Sequence, residues 1–133
     1  MYIQNWNYKN FRKEKAQCSC GCGCDLVSKS FMDKVQKARD IANRPFYETS
    51  VCRCERENIR VNGSLNSDHI TSIEKKIYCC AMDISYTDSI ELYEIIKACM
   101  EARLPQIIVY ASKKILHVGE SILRPRKIFL VEK

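Results

Sequence analysis

Asn66-Ser67-Asp68-His69 closes a polar, glycine-containing stretch on one of only two histidines in this 133-residue chain. The other, His117, stands inside the apolar run Ile115-Leu116-His117-Val118, and Asp83 sits at the end of a second apolar run, Ala81-Met82-Asp83-Ile84. Two imidazoles and one carboxylate are a facial donor set for zinc, with the fourth position open to water or substrate. The chemistry such a set supports is metal-assisted hydrolysis. Each residue also has a plainer role. His69 could be a solvated loop histidine, His117 a sheet histidine bonded to a backbone carbonyl, and Asp83 a turn carboxylate leading into Ser85. An apolar strand has little reason to carry a charge unless something pairs with it, and that favours the joint reading.

The second chemical feature is sulfur. Nine cysteines are present, four of them at every second position in Cys18-Ser19-Cys20-Gly21-Cys22-Gly23-Cys24, with a further C-x-C at Cys52 and Cys54. Alternate side chains of an extended segment point the same way. Cys18 and Cys20 could therefore chelate a soft metal together with Cys52 and Cys54. C-x-C pairs match the usual zinc-finger gaps poorly, so disulfides and free thiols stay open beside structural zinc.

The elements that must position these residues are legible from periodicity. Ser30-x-x-Asp33 has the form of a helix start, and Phe31, Val35, Ala38 and Ala42 follow at helical spacing until Pro45. Residues 46–53 read as a strand, the charged stretch 55–68 as a loop, and 77–84 as a second strand. Alternation in that strand places Cys79, Ala81 and Asp83 on one face and Tyr78, Cys80 and Met82 on the other. Asp88-x-x-Glu91 opens a second helix that runs to Pro105. Residues 106–110 and 115–118 form a hairpin, and 127–131 a last strand. The order of elements predicts an α+β fold, a mainly antiparallel sheet flanked by two main helices.

Composition sets the bounds. The chain is long enough for one domain with a core, and its 46% hydrophobic and 29% charged residues are those of a globular protein. Residues 1–24 read as an aromatic and cysteine-rich N-terminal arm on a core of 25–133, with Trp6, Tyr8 and Phe11 pinning the arm down. No apolar run reaches the roughly 20 residues that span a bilayer, which argues against a membrane partner. Residues 1–15 have no apolar signal-peptide core, so no secretory signal is expected. The net charge of +6 suits an anionic partner. The basic residues are scattered without an arginine-rich run, so no nucleic-acid partner is expected.

Residues 11–119 resemble the zinc D-alanyl-D-alanine carboxypeptidases and L-alanyl-D-glutamate endopeptidases that cut peptidoglycan. Six matches carry the resemblance: the arm and cysteine–glycine cluster from Phe11 to Cys24; the helix over 30–43; Ser50-Val51-Cys52-Arg53; Asn58, Gly63 and Ser67-Asp68-His69; Ala81-x-Asp83-Ile84; and Leu116-His117-Val118. It implies the hedgehog/D-Ala-D-Ala peptidase fold and a zinc peptidase acting on stem peptides or cross-bridges of the wall, possessed of one catalytic zinc on His69, Asp83 and His117. It further implies that Arg53 and Ser67 contact the substrate peptide. A phage-type lysis enzyme, cytoplasmic until released or carried on the virion, is the corresponding biological setting. The alternative is a degenerate, non-catalytic member that binds the wall or builds the virion. A cysteine-rich metal or redox module is a third reading, resting on the C-x-C runs alone.

Departures from the family pattern concern the proton carrier. His69 to Asp83 spans fourteen positions (83 − 69), longer than is usual, and 72–78 read as a surface insertion. Val51 replaces a glycine. Lys114 and Gly119 stand where members carry acidic residues, which leaves Glu120 and Asp68 as the candidate general bases.

Overall fold

The computed structural model describes residues 2–121 and 128–132. Its elements in chain order are α1 (Lys13–Ala16), α2 (Lys29–Ala42), β1 (Tyr47–Ser50), α3 (Glu55–Arg60), β2 (Ala81–Ser85), α4 (Ser89–Glu101), β3 (Gln106–Tyr110), β4 (Ile115–Gly119) and β5 (Ile128–Glu132). The strands form one sheet in the order β1-β2-β4-β3-β5. The first three pairings are antiparallel and β5 joins β3 in parallel, so the sheet is mixed. This is the α+β architecture that the periodicity implies. Lys127, where the sequence begins the last strand, lies outside the described residues.

α2 and α4 form because each has a cap and one apolar stripe. Ser28 caps α2 by accepting from the Phe31 amide at 3.3 Å, two residues before the Ser30 start read from sequence. Such a cap contributes about 1 kcal/mol. Asp33, the other half of the apparent signature, instead accepts from the Tyr8 hydroxyl at 2.6 Å. α2 ends at Asn43, whose left-handed φ of 49° returns its amide to the Arg39 carbonyl. At α4 the Asp88 carboxylate accepts from the Glu91 amide and the Glu91 carboxylate from the Thr87 amide, both at 2.8 Å.

Alternation along β2, β3 and β4 gives the sheet two chemically different faces. Met82, Ile84, Ile107, Val109, Leu116 and Val118 are buried in one cluster with Phe31, Met32 and Val35 of α2 and Ile95 and Cys99 of α4. Each large apolar side chain buried there contributes about 1.5–3 kcal/mol. The residues between them, Asp83, Gln106, Ile108 and His117, face the other way, and cross-strand register sets Asp83 opposite His117 and His117 opposite Ile108.

The N-terminal arm belongs to the same core. Tyr8 and Phe11 are buried in it, Phe11 packs edge-on against Phe46, and the Trp6 indole donates to the Phe11 carbonyl. Three stretches differ from the sequence reading, the first being 46–53, where the strand covers only Tyr47–Ser50. Residues 55–60, read as loop, form the short helix α3. β2 begins at Ala81 rather than 77, because 72–77 close a surface turn through paired Ser72 and Ile77 backbone bonds.

Candidate metal centre

Each of the three donors is held by a different piece of backbone. Asp83 and His117 are neighbours on β2 and β4. His69 lies outside the named strands, on a segment locked beside Arg53: the Arg53 amide donates to the His69 carbonyl and the Thr71 amide to the Arg53 carbonyl, both at 2.8 Å. The long connection that follows His69 turns back at the surface, with Lys75 paired to Glu55, and leaves the donors undisturbed.

The three side chains converge. Asp83 Oδ1 lies 3.2 Å from His69 Nε2 and 3.0 Å from His117 Nδ1, and one donor atom from each of the three falls within 4.8 Å of the others. The far nitrogen of each ring is engaged as well. His69 Nδ1 is 2.7 Å from the Val51 carbonyl, which can only accept, so the ring proton sits there and the Nε2 lone pair faces Asp83. His117 Nε2 is 3.2 Å from Gln106 Oε1, which directs its Nδ1 lone pair to the same point. Two imidazole lone pairs and a carboxylate oxygen aimed at one another fit a cation, and outer partners that fix the tautomer are the usual support of metal-bound histidines. Donor type, donor number and outer partners all fit zinc.

Electrostatics agree. Burial favours the neutral form of Asp83, but its contacts with His117 and His69 outweigh this and hold its pKa well below the ordinary carboxylate range. Burial likewise disfavours a charged His69, and the Asp83 carboxylate overcomes it, raising the imidazole pKa: the carboxylate draws positive charge to Nε2, a proton or a cation in the proton's place. The site is an anionic point beneath two buried rings, His69 being 2% exposed and His117 9%.

These residues line a cleft of about 330 Å³ together with Arg53, Ser67 and Asp68 and with Tyr110 and Lys113 of the β3–β4 hairpin. Arg53 Nη2 donates to Ser67 Oγ at a long 3.4 Å, while Arg53 Nε is buried without a hydrogen-bond partner. Neither Glu55 nor Glu57 takes it as an ion-pair partner: Glu55 is bridged to Lys75, and Glu57 to Arg60. Gly63 is required beside it. A Cβ there would overlap Asn58 Oδ1 and come 3.0 Å from Arg53 Nη1.

The two base candidates separate. Asp68 lines the cleft. Glu120 does not: it is ion-paired with Lys34 of α2. Lys114 donates to the Thr87 carbonyl. Gly119 lies across from Gln106, and a Cβ would come 2.7 Å from Gln106 Oε1 and 3.4 Å from His117 Nε2, so a side chain there would displace the glutamine that orients His117. Gln106 was missed in the sequence. Its signal was a polar residue opening an otherwise apolar strand, 2% exposed in the fold.

The second sulfur group also differs from expectation. Cys18, Cys20, Cys22 and Cys54 converge, and Cys52 is not among them. Cys52 is buried in the core, where a hydrogen bond with Cys79 and burial push its thiol pKa up.

A mixed sheet backed by two helices on one face, with a His–Asp–His donor set lining a cleft on the other, defines a metallohydrolase-type site. The family described as Peptidase M15 matches residues 4–119. The chain belongs to this family of zinc-dependent metallopeptidases, of the D-Ala-D-Ala carboxypeptidase type and hedgehog-like fold. A comparison with curated proteins returned no match.

Proposed function

We propose that the protein is a zinc peptidase that cleaves stem peptides or cross-bridges of bacterial peptidoglycan. The observation that carries this reading is the convergence of His69 Nε2 and His117 Nδ1 on Asp83 Oδ1, with Val51 and Gln106 fixing both rings from behind. Zinc bound there supplies Lewis acidity, lowering the pKa of water to about 7 and polarising the scissile carbonyl.

The chain's own residues do the rest. Arg53, a planar and permanently charged fork at the cleft wall, takes the carboxylate or carbonyl oxygen of the peptide. Ser67 accepts from it and holds its reach. Asp68 takes the proton of the attacking water and returns it to the leaving amine, one carboxylate serving both halves of the exchange. The +6 charge suits the anionic wall, and a phage-type lysis enzyme, released from the cytoplasm or carried on the virion, fits that target.

A second reading, a wall-binding or virion component without turnover, is favoured by the pairing of Glu120 with Lys34, which leaves Asp68, among the described residues, as the one carboxylate lining the cleft besides Asp83. Incubation of the zinc-loaded protein with purified wall and with D-Ala-containing muropeptides, read by mass spectrometry, separates the two. New amino termini or released D-alanine support the peptidase. Retention on the wall with no cleavage leaves the binding component.

A further inference from the structure

The cysteine cluster shares no residue with the donor set just described and has the geometry of a site in its own right. Cys18 Sγ lies 3.4 Å from Cys20 Sγ and 3.7 Å from Cys54 Sγ, and Cys20 Sγ lies 3.6 Å from Cys54 Sγ. Cys22 completes the group, all four sulfurs falling within 4.8 Å of one another. A disulfide would need about 2.0 Å between sulfurs. Four thiolates at about 2.3 Å from a tetrahedral zinc stand about 3.8 Å apart, close to the separations here.

The backbone is shaped for this convergence. Gly21 and Gly23 take φ values of 88° and 80°, and no atom lies within 4 Å of a Cβ built on either. Glycine is needed there for backbone conformation, not for space. The two positive φ values curl the Cys-x-Cys-x-Cys run, so that Cys18, Cys20 and Cys22 turn inward rather than extend. The Cys18 amide closes the curl onto the Cys24 carbonyl at 2.9 Å. Donors surround the sulfurs: the Cys54 amide points to Cys18 Sγ at 3.3 Å, the Glu57 amide to Cys54 Sγ at 3.4 Å, and Arg56 Nη2 to Cys20 Sγ at 3.7 Å. Two backbone amides and a guanidinium, all donating to sulfur, are what a thiolate-rich, net-negative centre requires.

We propose that Cys18, Cys20, Cys22 and Cys54 form a closed, structural tetrathiolate site for zinc. Its role follows from where the fourth ligand stands. Cys54 follows Arg53 directly, and Arg53 is bonded on both backbone sides to the His69 segment. The Cys52 amide also donates to the Ala16 carbonyl at 3.1 Å. A metal on the four sulfurs therefore fastens the N-terminal arm to the wall of the cleft that carries Arg53. It holds that wall without touching substrate.

The test is cobalt(II) reconstitution of the reduced, full-length protein, with zinc counting alongside. Thiolate-to-cobalt charge-transfer bands in the near ultraviolet are expected in the wild type and in His69→Ala. They are expected to vanish in Cys20→Ser and Cys54→Ser and to persist in Cys24→Ser, which lies outside the cluster. Zinc content should fall from two per chain to one in either His69→Ala or Cys54→Ser. Should Cys54→Ser fail to fold, the wild-type spectrum and Cys22→Ser, in the exposed part of the loop, decide the matter. A wild-type cobalt spectrum without thiolate bands, or bands undiminished in Cys20→Ser and Cys22→Ser, overturns the proposal. Failure of the histidine site alone looks different: one zinc per chain, with the thiolate bands intact.

Discussion

Gln106 Oε1 lies 3.2 Å from His117 Nε2, both side chains buried, on adjacent antiparallel strands. This contact points Nδ1 of His117 toward Asp83, the nitrogen that would meet a metal there. Replacing Gln106 with Leu removes the partner and frees the ring to rotate or change tautomer, so zinc affinity at this site should fall by about 10- to 100-fold. Gln106→Glu keeps an acceptor in place and should retain affinity. Gly119→Ala, whose Cβ would press on the same amide, should act in the direction of the leucine variant. Competition titration with a zinc chelator measures all three.

Arg53 lines the cleft and, among the described residues, is in no ion pair, its buried Nε lacking a hydrogen-bond partner. Arg53→Lys keeps the charge and loses the fork, and KM for a peptide substrate should rise about tenfold with kcat little changed, the equivalent of about 1.5 kcal/mol for a charge-assisted hydrogen bond. Gly63→Ala perturbs the same wall from behind by forcing Asn58 aside. Overpacking of that kind costs about 1–3 kcal/mol, read as a shift in the urea midpoint.

Asp68→Asn should lower kcat by about a hundredfold or more while leaving zinc content and KM in place, since a carboxamide cannot carry the proton. Glu120→Gln breaks the pairing with Lys34 and should cost stability rather than turnover. Steady-state kinetics on the two variants, paired with zinc analysis, distinguishes them.

Glu48 offers a test away from the cleft. Burial raises its pKa above the ordinary carboxylate value, more than its own backbone hydrogen bond and the nearby Lys15 and Arg12 lower it. The folded state therefore holds this proton more tightly than the unfolded chain, and the ionised carboxylate is a cost to folding at neutral pH. That cost fades as pH falls through the raised folded value and is gone below the unfolded value of 4.5. Glu48→Gln should thus raise Tm at pH 7, with the gain disappearing below pH 4.5. Thermal melts at the two pH values check it.

The sequence displayed those parts of the fold whose burial follows a period. α2, α4 and the β3–β4 hairpin were visible because their apolar residues recur at helical or alternating spacing, and Asp83 and His117 stood out as polar residues in apolar strands. α3 was invisible for the opposite reason: its buried residues are Glu57 and Asn58, so no apolar stripe marks it. The parallel placement of β5 is a matter of tertiary pairing that no local pattern records. An extended Cys18–Cys24 run predicts the wrong cysteine set. The positive φ of Gly21 and Gly23 curls it instead, bringing in Cys22, while Cys52 turns to the core. Ser28 lost out to Ser30 as the cap because Asp33 completes a capping-box signature that the fold spends on Tyr8.

The proposed peptidase activity rests on a metal held by His69, Asp83 and His117. The most direct measurement is the rate of muropeptide hydrolysis as zinc is titrated into the metal-free protein, for the wild type and Asp83→Ala. Hydrolysis should rise with zinc and level off when the histidine site is full, and Asp83→Ala should stay inert at every zinc level. A fully loaded wild type that cleaves no stem peptide, or an Asp83→Ala protein that matches its rate, would contradict the account.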